Sequence, residues 1–221
     1  MKKPLIIFGA GDIAELAHYY FTNDSDFEVK AFTVDREFVS SAEFKGLPVV
    51  PFDELEQRYP ATDNWLFVAL SYAKLNELRR AKYNAGKTLG YRFASYVSSH
   101  ANVLNDGRIG ENCFVLEDNT VQPFATVGNN VTLWSGNHIG HHSTIGDHTF
   151  IASHVVVSGG VVIGEACFIG VNVTLRDHIK VGDKCVLGAG VMLLGDAESE
   201  GVYMAAATER SRVPSSKLRK I

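Results

Sequence analysis

The chain has 221 residues, 46% of them apolar, and a net charge of −4, enough for one large domain or two modest ones with real cores. That charge leaves no basic surface for nucleic acid or an anionic membrane, and apolar runs such as LIIF and VVVSGGVVI fall far short of the roughly 20 residues that span a bilayer. Three scattered cysteines make no disulfide framework, and Asp12 and Glu15 interrupt any signal-peptide core, so a soluble cytoplasmic protein is expected.

From the N-terminus, KPLIIFGAGDIAELAHYYF reads as a buried strand, a glycine turn and an amphipathic helix. EVKAFTVD is a second strand ending in Asp35. GLPVV, NWLFVAL, a helix around AKLNELRRAKYNAG and then YRFASYV follow. Strands alternating with helices predict a small α/β domain with a parallel, Rossmann-like sheet over residues 1–94. Gly9, Gly11 and Ala14 fit the relaxed G-x-G-x-x-G/A loop that lets a backbone approach phosphate at a helix N-terminus, with Asp12 opening the helix. Asp35 stands where an acid hydrogen-bonds a ribose. The domain is too short for a dinucleotide plus a substrate site, so a mononucleotide, or the nucleotide half of a larger molecule, fits better than NAD.

From Val97 the chain repeats every six residues. All 17 positions from Val97 and Val103 through Leu187 and Leu193 are Ile, Leu or Val. No helix has that period, and a simple strand would show a period of two. A six-residue repeat is the signature of a parallel β-helix, expected over residues 95–196. Each step supplies a short strand and a corner, and three steps make a triangular coil of 18 residues. A second inward column, four residues after each aliphatic, holds small residues including Cys113, Cys167 and Cys185, read as buried hydrophobes. Asn119 and Asn137, 18 apart in that column, are expected to form an amide ladder inside the prism.

WSGNHIGHHSTIGDH, residues 134–148, carries four of the eight histidines. His142, His148 and His154 fall on consecutive steps, hence on different sides of the triangle, and cannot share a metal within one chain. The default reading of His148, His154 and His178 is polar corner residues.

A small Rossmann-like domain followed by an uninterrupted hexapeptide repeat with this histidine motif resembles the bacterial sugar acyltransferases of the sialic acid O-acetyltransferase type. That group includes the bacillosamine- and perosamine-type N-acetyltransferases. The resemblance covers essentially the whole chain. It implies a left-handed β-helix and a homotrimer with active sites between subunits. It also implies acetyl-CoA as co-substrate along the groove between prisms, and a nucleotide-linked amino sugar entering from the N-terminal domain. Metal is not expected. Carried onto this sequence, the glycine loop is Gly9-Ala10-Gly11, the nucleotide-contacting acid is Asp35, and the N-x-x-R motif runs from Asn76 to Arg79, with Asn76 a sugar-nucleotide contact. The catalytic base is His141, at the third position of its hexapeptide.

Relatives place Glu or Asp after that histidine, whereas this chain has His142, also a candidate substrate contact. A backbone carbonyl, or an acid such as Asp118 or Asp147 of the same or the neighbouring chain, is the candidate to orient the ring, with His138 and His142 as alternative bases. Gly159, one coil beyond His141, is the candidate oxyanion donor, and Gly159 and Gly160 the candidate thioester anchor. After residue 196 the tail turns basic; Arg210, Arg212, Lys217, Arg219 and Lys220 are candidates to meet the coenzyme's phosphates, against a default of a solvated terminus.

The expected activity is acetyl-CoA-dependent N-acetylation of a nucleotide-linked aminodeoxysugar for surface polysaccharide or lipopolysaccharide synthesis. O-acetylation of a sugar or sialic acid is the near alternative. Two further classes stay open. One is a cross-subunit zinc hydrolase of the γ-carbonic anhydrase type, for which His142 and His178 are 36 apart but position 183 is Asp. The other is a non-catalytic nucleotide sensor.

Overall fold

The computed structural model describes residues 2–217. The first part contains β1 (Lys3–Phe8), α1 (Asp12–Asn23), β2 (Phe27–Val34), β3 (Glu43–Phe44), β4 (Leu47–Pro51), α2 (Leu55–Arg58), β5 (Trp65–Val68), α3 (Glu77–Thr88) and β6 (Arg92–Phe93). These strands form one sheet in the order β3-β4-β2-β1-β5-β6, parallel except where β3 meets β4. The unbroken apolar run of β1 follows from burial on both faces. Leu5 and Ile7 pack with Ala14, Ala17 and Phe21 of α1, while Ile6 and Phe8 pack with Leu55 and Tyr83 on the other side.

From Tyr96 the chain winds in two-residue strands paired in parallel with the strand 18 residues further on, as Thr120 with His138 and His138 with Val156, until the last step, where Val186 pairs with Val202. Three faces result: a six-stranded one from Asn102–Val103 to Met192–Leu193 (the His138 face), a four-stranded one from Thr126–Val127 to Lys180–Val181 (the Thr144 face), and a seven-stranded one from Tyr96–Val97 to Val202–Tyr203 (the docked face). Along the prism the second residue of each strand points inward; Val121, Ile139, Ile151 and Val157 are fully buried. The cysteines join this core, and burial pushes the thiols of Cys113 and Cys167 up to about 12, too high for thiolate chemistry near neutrality.

Between strands the corner places a residue at positive φ, among them Asn112 and Asn130 (54° each), His142 (59°), His148 (64°), His154 (58°) and His178 (58°). Asn, Asp and His tolerate that left-handed conformation better than most side chains. Four of the eight histidines thus have a conformational reason for their position.

The interior amide ladder does not form. The amides of Asn119 and Asn137 donate instead to main-chain carbonyls of Leu116, Leu133 and Trp134, and Asn137 Oδ1 accepts from the Val155 N–H at 2.8 Å. Backbone groups of the corners aim inward at this depth and take the side-chain valences first. A ladder runs instead along an outer corner. Val68 N–H donates to Asn112 Oδ1 (2.7 Å), Asn112 Nδ2 to Asn130 Oδ1 (2.7 Å), and Asn130 Nδ2 to His148 Nδ1 (2.9 Å).

That ladder is one of several buried polar links fastening the α/β unit to the docked face. Arg79 of α3 is 2% exposed; its guanidinium donates to Thr132 Oγ1 (2.6 Å), Asn76 Oδ1 (3.1 Å) and the His148 carbonyl (3.1 Å). Asn76 Nδ2 donates to the Cys167 carbonyl. Aromatic contacts complete the seam: Tyr72 lies 5.0 Å from Phe150 and 4.6 Å from Phe168 between ring centroids, and Tyr20 lies 5.8 Å from Phe114. Beyond residue 196, where a free tail was expected, Val202–Tyr203 still adds a strand to the docked face; from Met204 onward every described residue is exposed.

His148 gives this seam a pH dependence. Burial first, then the nearby Arg80, hold its pKa down at about 4 against an ordinary 6.5. The unfolded chain therefore binds a proton that the folded chain refuses across that interval, so the stabilisation is complete above about pH 6.5 and is lost as pH falls toward 4. The expected loss is ~2–3 kcal/mol, read from urea midpoints at about pH 7 and about pH 4.5. His148→Asn puts an acceptor oxygen where Nδ1 stood and is expected to flatten that slope.

Candidate active site

The carboxyl ends of β1, β2 and β5 open onto a cavity of about 270 Å³ lined by Gly9, Gly11, Asp35, Phe38, Leu78 and Lys82. Parallel sheets bind ligands at this edge, where strand order reverses about the first strand. Gly9 has φ +129°, and a Cβ there would stand 2.7 Å from the Ala69 carbonyl oxygen and 3.3 Å from the Ala14 side chain. The small residues of the glycine loop thus let β1, α1 and the end of β5 converge. Gly11 caps α1 with nothing within 4 Å of a built Cβ, leaving room for a ligand at the helix N-terminus, and Asp12 begins the helix exposed. Asp35 accepts a hydrogen bond from Lys82 Nζ at 2.5 Å. Lys82 escaped the sequence reading, although it continues the three-residue step from Asn76 to Arg79 along α3. A neighbouring hollow of about 520 Å³ runs from Gly11 and Asp12 to Ser71 and Tyr72.

Asn76 does not face this cavity. It is 0% exposed, and its amide is divided between Cys167 and Arg79, so its expected role in holding a nucleotide is corrected to a structural one at the seam.

His141 lies at the corner joining the His138 face to the Thr144 face, exposed to solvent. Its backbone N–H donates to Gln122 Oε1 at 2.9 Å, and its carbonyl accepts from the Gly160 N–H at 2.8 Å. The imidazole leans over Gly159: a Cβ there would be 2.6 Å from Cε1 and 2.7 Å from Nε2. The Gly159 N–H has no hydrogen-bond partner among the described residues. One coil therefore brings together a ring nitrogen and a free backbone donor, the two groups that acyl transfer requires. Gly159→Ala is expected to displace the ring while preserving the fold, lowering turnover by about 10²-fold; kcat, read beside an unchanged circular dichroism spectrum, checks it.

The ring's neighbour is neither acid proposed from sequence. Asp147 lies at another corner, where its carboxylate accepts from the Asn129 N–H, and Asp118 occupies a turn position at φ 60° on the corner leading into the His138 face. Instead, His141 Nδ1 is 3.1 Å from His142 Nδ1. His138 is half-buried on its strand.

The remaining histidines are spread out. His148 packs on Tyr83, His154 covers Gly136, and His178 covers Gly160. Among the described residues no three His, Cys, Asp or Glu side chains come together to hold a metal ion. Arg210 and Arg212 are exposed, with no ion pair among the described residues. Lys217 is exposed too, while Arg219 and Lys220 lie outside the described residues.

The geometry is that of a hexapeptide-repeat prism with an α/β unit in front of it. The model of the bacterial transferase hexapeptide family (six repeats) matches residues 124–159 and 160–195. No curated protein matches the sequence. Solved structures share the fold over nearly the whole chain. The acetyltransferase domain of PglB from Neisseria gonorrhoeae, in complex with acetyl coenzyme A, has a TM-score of 0.83 at 21% identity, covering 93% of this chain and 97% of that one. PerB from Caulobacter crescentus, in complex with CoA and GDP-perosamine, has 0.81 at 21% identity over 91% and 94%. WeeI from Acinetobacter baumannii has 0.77 at 16% identity over 91% and 96%.

Proposed function

We propose that the protein transfers the acetyl group of acetyl-CoA to the amine of a nucleotide-linked aminodeoxysugar, as a homotrimer in the cytoplasm supplying surface polysaccharide synthesis. Residues 1–94 are read as a Rossmann-like nucleotide-sugar-binding domain and residues 95–196 as a left-handed β-helix bearing the acyl-transfer site. The observation that carries this reading is the ring of His141 lying against Gly159 with its free N–H. Support comes from the structures of like fold, one holding acetyl coenzyme A and one holding CoA with a nucleotide amino sugar.

In this reading His141 Nε2 takes a proton from the attacking amine as the C–N bond forms. The Gly159 N–H donates to the oxyanion of the tetrahedral intermediate. Collapse breaks the C–S bond, and the imidazolium returns its proton to the departing thiolate, giving amide and CoA. The cavity at Gly9, Gly11, Asp35 and Lys82 holds the nucleotide, with phosphate at the α1 N-terminus. That cavity belongs to a unit seated on the docked face, whereas His141 occupies the corner between the other two faces. In this reading nucleotide and base come from different copies, as in the homotrimer that the resemblance to the sugar acyltransferases implies. Arg210, Arg212 and Gly160 are the coenzyme contacts in this scheme.

The test is thiol release from acetyl-CoA with uridine-, thymidine- and guanosine-linked amino sugars, each beside its hydroxy analogue. Turnover of an amine is the expected result. Turnover of the hydroxy sugar alone moves the assignment to an O-acetyltransferase of the sialic acid type, and release with none of them overturns it.

A further inference from the structure

We propose that His142 is the positioning residue for His141, the two imidazoles sharing one proton between their Nδ1 atoms. The inference rests on the reading of His141 as the base and goes beyond it to what fixes its tautomer. Two ring nitrogens 3.1 Å apart attract only when a single hydrogen lies between them; two bare or two protonated nitrogens repel. The rings stand nearly perpendicular, at 85° with centroids 5.2 Å apart. Gln122 and Gly160 clamp the main chain of His141, but neither is hydrogen-bonded to its ring. His142 is the hydrogen-bond partner that the ring has among the described residues.

His142 is itself held in place. Its backbone is in the left-handed region at φ 59°, and its ring rests on Phe124, 4.7 Å away one coil below. This aims Nδ1 at its neighbour.

The direction of the shared hydrogen decides the chemistry. With the hydrogen on His141 Nδ1, its Nε2, on the side of Gly159, presents a lone pair to an incoming amine. With the hydrogen on His142, Nε2 of His141 carries the ring's own proton and cannot accept another. The working state therefore has a bare His142 Nδ1 whose own proton sits on Nε2. As His141 becomes imidazolium, its Nδ1–H donates to that lone pair in a charge-assisted bond, stronger than the neutral bond of the resting state. The pair thus favours the state reached during transfer.

Two substitutions separate this role from a structural one. His142→Gly keeps the left-handed corner and removes the ring; His142→Asn keeps the corner and places Oδ1, an acceptor, the same number of bonds from the main chain as Nδ1. The expected result is a fall in kcat of about 10–10²-fold in His142→Gly, with KM for acetyl-CoA little changed, and recovery in His142→Asn. Nitrogen-15 NMR of the His141 ring gives a readout independent of turnover. It should show Nδ1 protonated in the parent and in His142→Asn, and a mixture of tautomers in His142→Gly. A parent-like kcat with an unaltered His141 tautomer in His142→Gly overturns the proposal. Full turnover in His141→Ala would instead overturn the assignment of the base, while leaving the NMR result to stand by itself.

Discussion

His141→Ala is expected to lower acetyl transfer by ~10²–10⁴-fold, the usual contribution of a positioned general base. The main chain at this corner is held by Gln122 and Gly160 rather than by the imidazole, so the fold should persist. The ring is also exposed, and its removal leaves no cavity in the prism. KM for the nucleotide sugar should change little, because the glycine-loop cavity lies against a different face. The deciding measurement is kcat by thiol release, paired with a thermal midpoint to show that the variant is folded. Loss of turnover together with loss of the fold would point to a structural role for the histidine.

Arg79→Ala is expected to be the most damaging substitution at the seam, costing ~3–4 kcal/mol from the void and the abandoned acceptors. The guanidinium is buried against Phe150, with its cation 5.9 Å from the ring centroid, and burial draws its pKa down to about 10. Its bonds go to a hydroxyl, an amide oxygen and carbonyls, with no carboxylate ion-paired to it among the described residues. Removing the charge thus leaves no opposite charge stranded. Arg79→Met, which fills most of the volume, should accordingly lose much less. Urea midpoints for the two variants test the argument: an equally large loss in both would mean that the polar bonds, and not the packing, hold the seam.

The prism was legible because its code is local and redundant. Each aliphatic at a step of six repeats the same statement, and Val121, Ile139 and Ile151 all end up fully buried. The glycine loop was legible for a similar reason, since Gly9 and Ala14 are small where three elements meet. What escaped were competitions between equally polar partners. Nothing in the sequence told whether Asn119 would bond another amide or a carbonyl, and the backbone won. Asn76 read as a ligand contact because a motif states residue types but not which surface they face; docking of α3 turned it inward, with Arg79 beside it. Lys82, Gln122 and the bond from His141 to His142 depend on rotamers and on neighbours one coil away. The spacing of 19 between Gln122 and His141, one residue more than a coil, was available as a clue but carries no direction.

The rigid joint between the two units has a consequence for reach. With Arg79, Asn76 and the chain of donors ending at His148 locking α3 and β5 to the coils, the front unit is no swinging arm that carries cargo to the reaction. In the proposed trimer, the span from one copy's glycine loop to the next copy's imidazole would be set by assembly, like the jaws of a caliper. Under the proposed function, an acceptor whose diphosphate and sugar are a bond too short or too long would be refused for its length alone, whatever its base.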